Sequence, residues 1–227
     1  MVERKPCFPG ASGVRRRVPA DPFALAERVR AMNRNNGRIL VGIAGPPGTG
    51  KSTLVMQIAQ LLVPQLSVAI VPMDGFHLSN RILEELGRLS EKGASDTFDD
   101  AGYAALIARI RAGREETVYA PDFDHGVGEP IAGSIAVPRS ADVVLTEGNY
   151  LLLRAGSWPR AREALDETWY LHTPAELRLP RLVARHIVAG KSAHAAEAWV
   201  TGPDERNARV IEETERFSDL TIVEASE

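Results

Sequence analysis

Short, continuously apolar runs alternate along this chain with stretches in which apolar side chains return every three or four residues. Residues 39–45 (ILVGIAG) are apolar throughout and partly β-branched, as a strand buried on both faces requires. Leu54, Val55, Ile58, Leu61 and Leu62 then mark one face of a helix, which Pro64 ends. Strand-like runs recur at residues 67–72, 142–146, 167–171 and 220–223. Upstream, Asp21 and Pro22 read as an N-cap and first helical residue. Phe23, Ala26, Val29 and Met32 form the stripe of that helix, with Gly37 as its stop. Residues 79–113 read mostly as helix, with Asp99 or Asp100 capping a segment that carries Ala104, Ile107 and Ile110 and stops at Gly113. Pro121, Gly126, Gly128, Pro130, Gly133 and Pro138 break up residues 117–139, which predicts a β-rich or irregular excursion. Thr173-Pro174-Ala175-Glu176 reads as a capping box, opening a helix that Pro180 is expected to kink. A polar helix is expected over 204–217.

The five strand-like runs, separated by helices, predict an α/β fold with a parallel five-stranded sheet and helices on both faces. Ligands of such sheets sit beyond the C-terminal ends of the strands. The length of 227 residues suits one domain, expected over 21–227, behind an extended Pro-, Gly- and Arg-rich arm over 1–20. Composition is that of an ordinary globular chain, 44% hydrophobic and 25% charged. A net charge of −3 argues against nucleic acid or an anionic membrane as the main partner. The single cysteine, Cys7, excludes an internal disulfide and fits a reducing cytoplasm. No apolar run approaches the ~20 residues of a membrane span, and the first residues lack the apolar stretch of a signal peptide, so a cytoplasmic location is expected.

GPPGTGKS fits G-x-x-x-x-G-K-[ST] at every fixed position, between a buried strand and an amphipathic helix. Gly45, Pro46, Pro47, Gly48, Thr49, Gly50, Lys51, Ser52 and Thr53 are the candidates to line a phosphate cradle, the glycines letting the backbone curl so that successive N–H groups point into one concavity. The helix N-terminus adds its positive dipole end. Lys51 would reach the β- and γ-phosphates of ATP, and Ser52 would hold Mg²⁺. Asp74, in PMDGFHLSN, falls just beyond the second apolar run. It is placed either to take the proton of an acceptor hydroxyl or to form an ordinary Asp-Gly turn. His77 is a candidate substrate contact or a packed histidine. Glu147, in VVLTEGNY, ends another strand and is a second candidate for Mg²⁺, or a turn carboxylate. Thr146-Glu147-Gly148 stands where a mechanical ATPase would carry Asp-Glu, and the chain has no Asn-Lys-x-Asp guanine reader.

With GPPGTGKS, PMDGFHLSN, DTFD (96–99), YAPDFDH (119–125) and TEGNYLLL, the chain resembles the phosphoribulokinase/uridine kinase/pantothenate kinase family of P-loop kinases over residues 20–225. It is most similar to uridine-kinase-like proteins labelled as nucleoside or fructose transport system kinases. The resemblance implies ATP- and Mg²⁺-dependent phosphorylation of a hydroxyl on a small molecule, a sugar or nucleoside by preference. It implies that Asp74 is the catalytic acid-base residue and that Tyr119, Phe123 and His125 line the substrate on the excursion. YAPDFDHG departs from the uridine kinase pattern, in which Thr precedes the His and Arg follows it, and Asp122 and Asp124 are either sugar ligands or turn residues. The resemblance also implies an Arg-rich helical lid over about 178–202. There Arg181 and Arg185, four residues apart, would cover the transferring group or face solvent, with Arg178 and Lys191 as weaker candidates. Asn207 would lie near the base of ATP, or on a helix surface. Family members are often dimers or tetramers, so a homo-oligomer is compatible with the chain. The rival reading is a nucleotide-hydrolysing switch with no small acceptor.

Overall fold

A computed structural model describes residues 16–33 and 37–224. The elements follow in the order β1 (Arg17–Pro19), α1 (Pro22–Met32), β2 (Ile39–Ala44), α2 (Lys51–Leu62), β3 (Val68–Pro72), α3 (Asn80–Glu85), α4 (Asp100–Ala112), β4 (Thr117–Asp124), β5 (Glu129–Pro138) and β6 (Val143–Gly148). They continue with α5 (Trp158–Glu163), β7 (Glu167–His172), α6 (Ala175–Val188), α7 (Ala193–Trp199), α8 (Glu205–Glu212) and β8 (Leu220–Val223). The main sheet is parallel, with strand order β1-β8-β7-β2-β6-β3. It has six strands, not five, because Arg17–Pro19 at the end of the expected arm pairs with β8, Arg17 opposite Thr221. The rest of that arm, residues 1–15, including Cys7, lies outside the described residues.

Strict alternation in β2 divides the core. Leu40 and Ala44 face one side, packing with Tyr103, Ile107 and Trp158, while Val41 and Ile43 face the other, with Leu54, Ile58 and Trp169. Burying each of these large apolar side chains contributes roughly 1.5–3 kcal/mol, which is why short uninterrupted runs suffice to hold the central strands. Asp21 caps α1 through a 3.0 Å bond from the Phe23 N–H, and Asp99 caps α4 through a 2.8 Å bond from Gly102. Gly113 closes α4 in the left-handed conformation, φ 57°. Phe23 departs from the predicted stripe: it is 68% exposed, and Leu25 takes its place in the core. The polar C-terminal helix is in three parts, a π turn over Val200–Asp204, α8, and a 3-10 turn over Glu215–Phe217.

Two further details of α6 bear on the site. The capping box does not form, because Pro174 holds the N-cap position while Thr173 Oγ1 lies 3.2 Å from the Thr49 carbonyl and 2.9 Å from Glu224 Oε2. The Thr173 hydroxyl thus ties the start of α6 to the loop after β2 instead of to its own helix. The helix also runs on through Pro180. A proline there forfeits the hydrogen bond that its N–H would have donated to the Glu176 carbonyl.

Candidate active site

The loop between β2 and α2 curls because Gly48 and Gly50 adopt φ values of 80° and 84°, a region that L side chains rarely enter. Gly48 has a second reason to lack a side chain. A Cβ there would stand 2.7 Å from Leu182 Cγ and 2.9 Å from the Arg178 carbonyl oxygen, so α6 packs directly onto the loop. Lys51, the first residue of α2, is 7% exposed, and its Nζ donates to the Pro46 carbonyl at 3.0 Å and to Asn149 Oδ1 at 2.9 Å. Ser52 Oγ donates to Glu147 Oε1 at 2.7 Å. Burial pushes the Lys51 ammonium down to about 8, against the opposing pull of Glu147 and Asp74. Burial raises Glu147 above the usual carboxylate range, with Lys51 opposing.

Strand order brings the acids to this loop. β6 lies between β2 and β3, with Ala44 opposite Gly148 and Pro72 opposite Glu147, so the ends of all three strands open on one space. Asp74 follows β3 in a 3-10 turn over Met73–Phe76, close enough for its charge to act on both Lys51 and Glu147. The Asp74-Gly75 pair is not a left-handed turn. Gly75 is needed because the β4 backbone sits on it, and a Cβ there would meet the Pro121 carbonyl oxygen at 2.3 Å. Gly148 allows a matching approach from β6, since a Cβ there would lie 2.4 Å from Met73 Cβ. Gly75→Ala is therefore expected to cost about 1–3 kcal/mol and to push the β4–β5 hairpin off the Asp74 turn, with backbone rather than a flexible side chain in the way. Denaturant unfolding reads the first effect, and KM for the acceptor the second.

Beside Asp74 the rings gather. His77 Nδ1 lies 2.8 Å from the Asp74 carbonyl oxygen, which also accepts from the His77 backbone N–H at 3.1 Å. The Nδ1–H is thereby assigned to that carbonyl and Nε2 is left as an acceptor. Burial keeps the ring below the ordinary histidine range, with Asp74 opposing. The His77 ring lies tilted against Phe98, centroids 4.0 Å apart, and against Phe123 at 4.8 Å, and Phe123 meets His125 at 5.2 Å. Lys92 Nζ stands 5.2 Å over the Phe123 ring. Tyr119 does not join these rings; it is 62% exposed, and a bulge in β4 between Ala120 and Asp122 separates it from Phe123. Asp124 accepts from the backbone N–H groups of Gly126 and Val127 in the β4–β5 turn, while Asp122, within β4 beside its bulge, accepts from the Phe123 N–H.

The lid arginines divide differently from the expected pairing. Arg181 is turned to Glu224 in a two-pronged bond, 2.8 Å on each side. Arg185 lies near enough for its charge to act on Lys51 and Glu147. Its companion is Arg178, seven residues back and so on nearly the same helix face, fully buried against the Pro47 carbonyl at 3.4 Å and paired with Glu205. Lys191 stands over Trp199 at 4.5 Å, within the lid. Asn207 donates to the Gly93 carbonyl at 3.2 Å, which also accepts from Tyr150. A cleft of about 360 Å³ flanks the glycine loop on the β8 side, lined by Thr49, Gly50, Thr53, Gln57, Arg181 and Glu224. Phe98 and Asn149 fall within DTFD and TEGNYLLL, but the sequence assigns neither a role of its own. The aromatic between Thr97 and Asp99 carries no periodic signal, whereas Asn149 stands two residues beyond Glu147 at a strand end where site residues collect.

No family model matches the chain. It is 34% identical over 212 residues, 88% of its length, to a protein of Schizosaccharomyces pombe provisionally named a uridine kinase, of which it covers 84%. The chain belongs to the phosphoribulokinase/uridine kinase/pantothenate kinase family of P-loop kinases. A solved structure from Silicibacter sp. TM1040, provisionally named a fructose transport system kinase, superposes with a TM-score of 0.78 at 39% identity, covering 88% of this chain and 98% of that one. A pantothenate kinase of Enterococcus faecalis is 29% identical over 148 residues, 58% of this chain and 48% of its own length. As a member of this family the protein is an ATP-dependent phosphotransferase acting on a hydroxyl of a small molecule. Among the described residues no helix is long and apolar enough to cross a membrane.

Proposed function

We propose that this P-loop kinase transfers the γ-phosphoryl group of ATP to a hydroxyl of an unphosphorylated sugar or nucleoside in the cytoplasm, with Asp74 as the base. The observation that carries the reading is the shared space at the ends of β2, β6 and β3, which sets Lys51, Glu147 and Asp74 within one electrostatic cluster. Backbone N–H groups between Gly45 and Thr53 would hold the phosphates. The cleft lined by Thr53, Gln57 and Arg181 is large enough for the nucleoside end of ATP. Lys51 would turn from the Pro46 carbonyl to the phosphate oxygens while keeping Asn149, and Arg185 would add charge from the lid. Asp74 would orient the hydroxyl and take its proton as the oxygen bonds to phosphorus. The partly exposed rings of His77 and Phe123, backed by the buried Phe98, would pack against a sugar or base beside that hydroxyl.

The donor set suits Mg²⁺. Ser52 and Glu147 supply hard oxygens that already touch each other, and among the described residues no group of three His, Cys, Asp or Glu side chains forms a cage. Mg²⁺ characteristically takes one or two protein oxygens and completes its shell with water and phosphate oxygens. Held by Ser52 and Glu147, the ion would offset charge on the phosphates.

ADP release measured across sugars, nucleosides and vitamin alcohols tests the proposal. One class of acceptor is expected to raise turnover above the rate with ATP alone. Hydrolysis that no compound alters would support the nucleotide switch instead. The depressed Lys51 adds a pH signature. Its charge is lost as pH rises through about 8 in the empty protein, so kcat/KM for ATP is expected to fall about tenfold per pH unit above that point. Bound phosphates favour the charged form, so the same limb in kcat should lie higher.

A further inference from the structure

We infer that Asn149 is a catalytic residue of this transfer, its side-chain amide donating Nδ2–H to an oxygen of the phosphoryl group as it moves from ATP to the acceptor. This rests on the kinase reading above.

The placement follows from the sheet. Asn149 is the first residue beyond β6, whose last pairs are Ala44 with Gly148 on the nucleotide side and Pro72 with Glu147 on the Asp74 side. Its half-buried side chain meets Lys51 at the glycine loop, on the strand that lies between β2 and the strand leading to the proposed base. The orientation of the amide follows from Lys51. An ammonium offers only hydrogens, so the amide end 2.9 Å from Lys51 Nζ is the oxygen, and the NH₂ end is turned away. Among the described residues Nδ2 has no hydrogen-bond acceptor, whereas the amide of Asn207 donates to the Gly93 carbonyl. Lys51 Nζ, with two acceptors, keeps its third hydrogen free. Lysine and asparagine thus form a linked pair of donors at the point where the group in transfer must pass.

In the reaction the bond from the γ-phosphorus to its bridging oxygen breaks, the bond to the acceptor oxygen forms, and the acceptor proton goes to Asp74. The equatorial oxygens keep their negative charge throughout and are the natural partners of fixed donors. A neutral amide can approach them without adding a charge that ADP would retain on departure.

Asn149→Asp and Asn149→Ala separate this role from that of a mere resting place for Lys51. Aspartate keeps an oxygen for Lys51 but replaces the donor with an anion; alanine removes both. The inference predicts that Asn149→Ala lowers kcat about 10²-fold with ADP affinity within threefold of wild type, and that Asn149→Asp is lower still. An Asn149→Asp enzyme with kcat within threefold of wild type, or an Asn149→Ala enzyme that loses ADP affinity as much as kcat, would overturn it. Calorimetric affinities for ADP and for the β,γ-imido analogue of ATP keep the test independent of turnover. Asn149→Ala should lower the ratio of analogue to ADP affinity about tenfold, and an unchanged ratio rejects the contact. If no acceptor stimulates the wild-type protein, the kinase reading fails by itself, and the affinity ratio still decides for or against Asn149.

Discussion

Asp74→Asn is expected to lower acceptor-dependent ADP release by a factor on the order of 10²–10⁴, about 3–5 kcal/mol of barrier, while ATP still binds. The amide has the size of the carboxylate and can stay in the 3-10 turn over Met73–Phe76, whose backbone does not depend on that side chain. What it loses is the capacity to accept a proton as the hydroxyl oxygen attacks. Because Asp74 raises the charged fraction of Lys51 and opposes ionisation of Glu147, the substitution should also shift both groups slightly downwards. Nucleotide affinity should therefore change far less than turnover. Equal loss of acceptor-free hydrolysis and acceptor-dependent transfer would argue that Asp74 serves the nucleotide alone, and the assignment of the base would fall.

Lys51→Met is expected to reduce turnover on the order of 10³-fold and to weaken ATP more than ADP, because the ammonium that would reach the γ-phosphate is gone. It carries a second, structural consequence. Glu147 would remain buried without the cation that opposes its desolvation, so its carboxyl should rise further above the usual range. A carboxyl whose pKa is higher folded than unfolded binds more protons in the folded state, and its contribution to stability is present at low pH and lost as pH rises through the folded value. The variant's melting temperature should accordingly fall further below wild type at pH 8 than at pH 5. A deficit that is the same at both values would mean that Lys51 and Glu147 do not share their charge.

These two residues show how unevenly the site could be read from the chain. Lys51 sits in an unbroken string of eight residues whose glycines, lysine and serine act on one another locally, so the string alone announces a phosphate cradle. The same is true of the strand runs and of the caps at Asp21 and Asp99, where the hydrogen bond spans two or three residues. Asp74 was legible only as an acid at a strand end, equally suited to a turn. The Asp-Gly ambiguity resolves through Gly75, whose missing side chain makes room for a strand more than forty residues away. Arg181 and Arg185 looked like one face of a lid by spacing, but Glu224 lies where it can hold Arg181, and the buried partner across the glycine loop is Arg178. Tyr119 sits four residues from Phe123, but a bulge between them breaks the alternation and leaves Tyr119 62% exposed.

By itself the sequence determined that this is an α/β chain with a nucleotide-phosphate loop and acids at strand ends, since periodicity, capping and turn conformation depend on residues within a few positions of one another. Only the tertiary structure decided that β6 enters between β2 and β3, that the arm's end becomes a sixth strand, and that Asn149 meets Lys51 and Phe98 backs His77. Strand order and register are settled by packing two apolar faces against helices distant in the chain, and loop closure at these lengths costs nearly the same for several orders. The competition is therefore decided by burial summed over the whole sheet, which no local window contains.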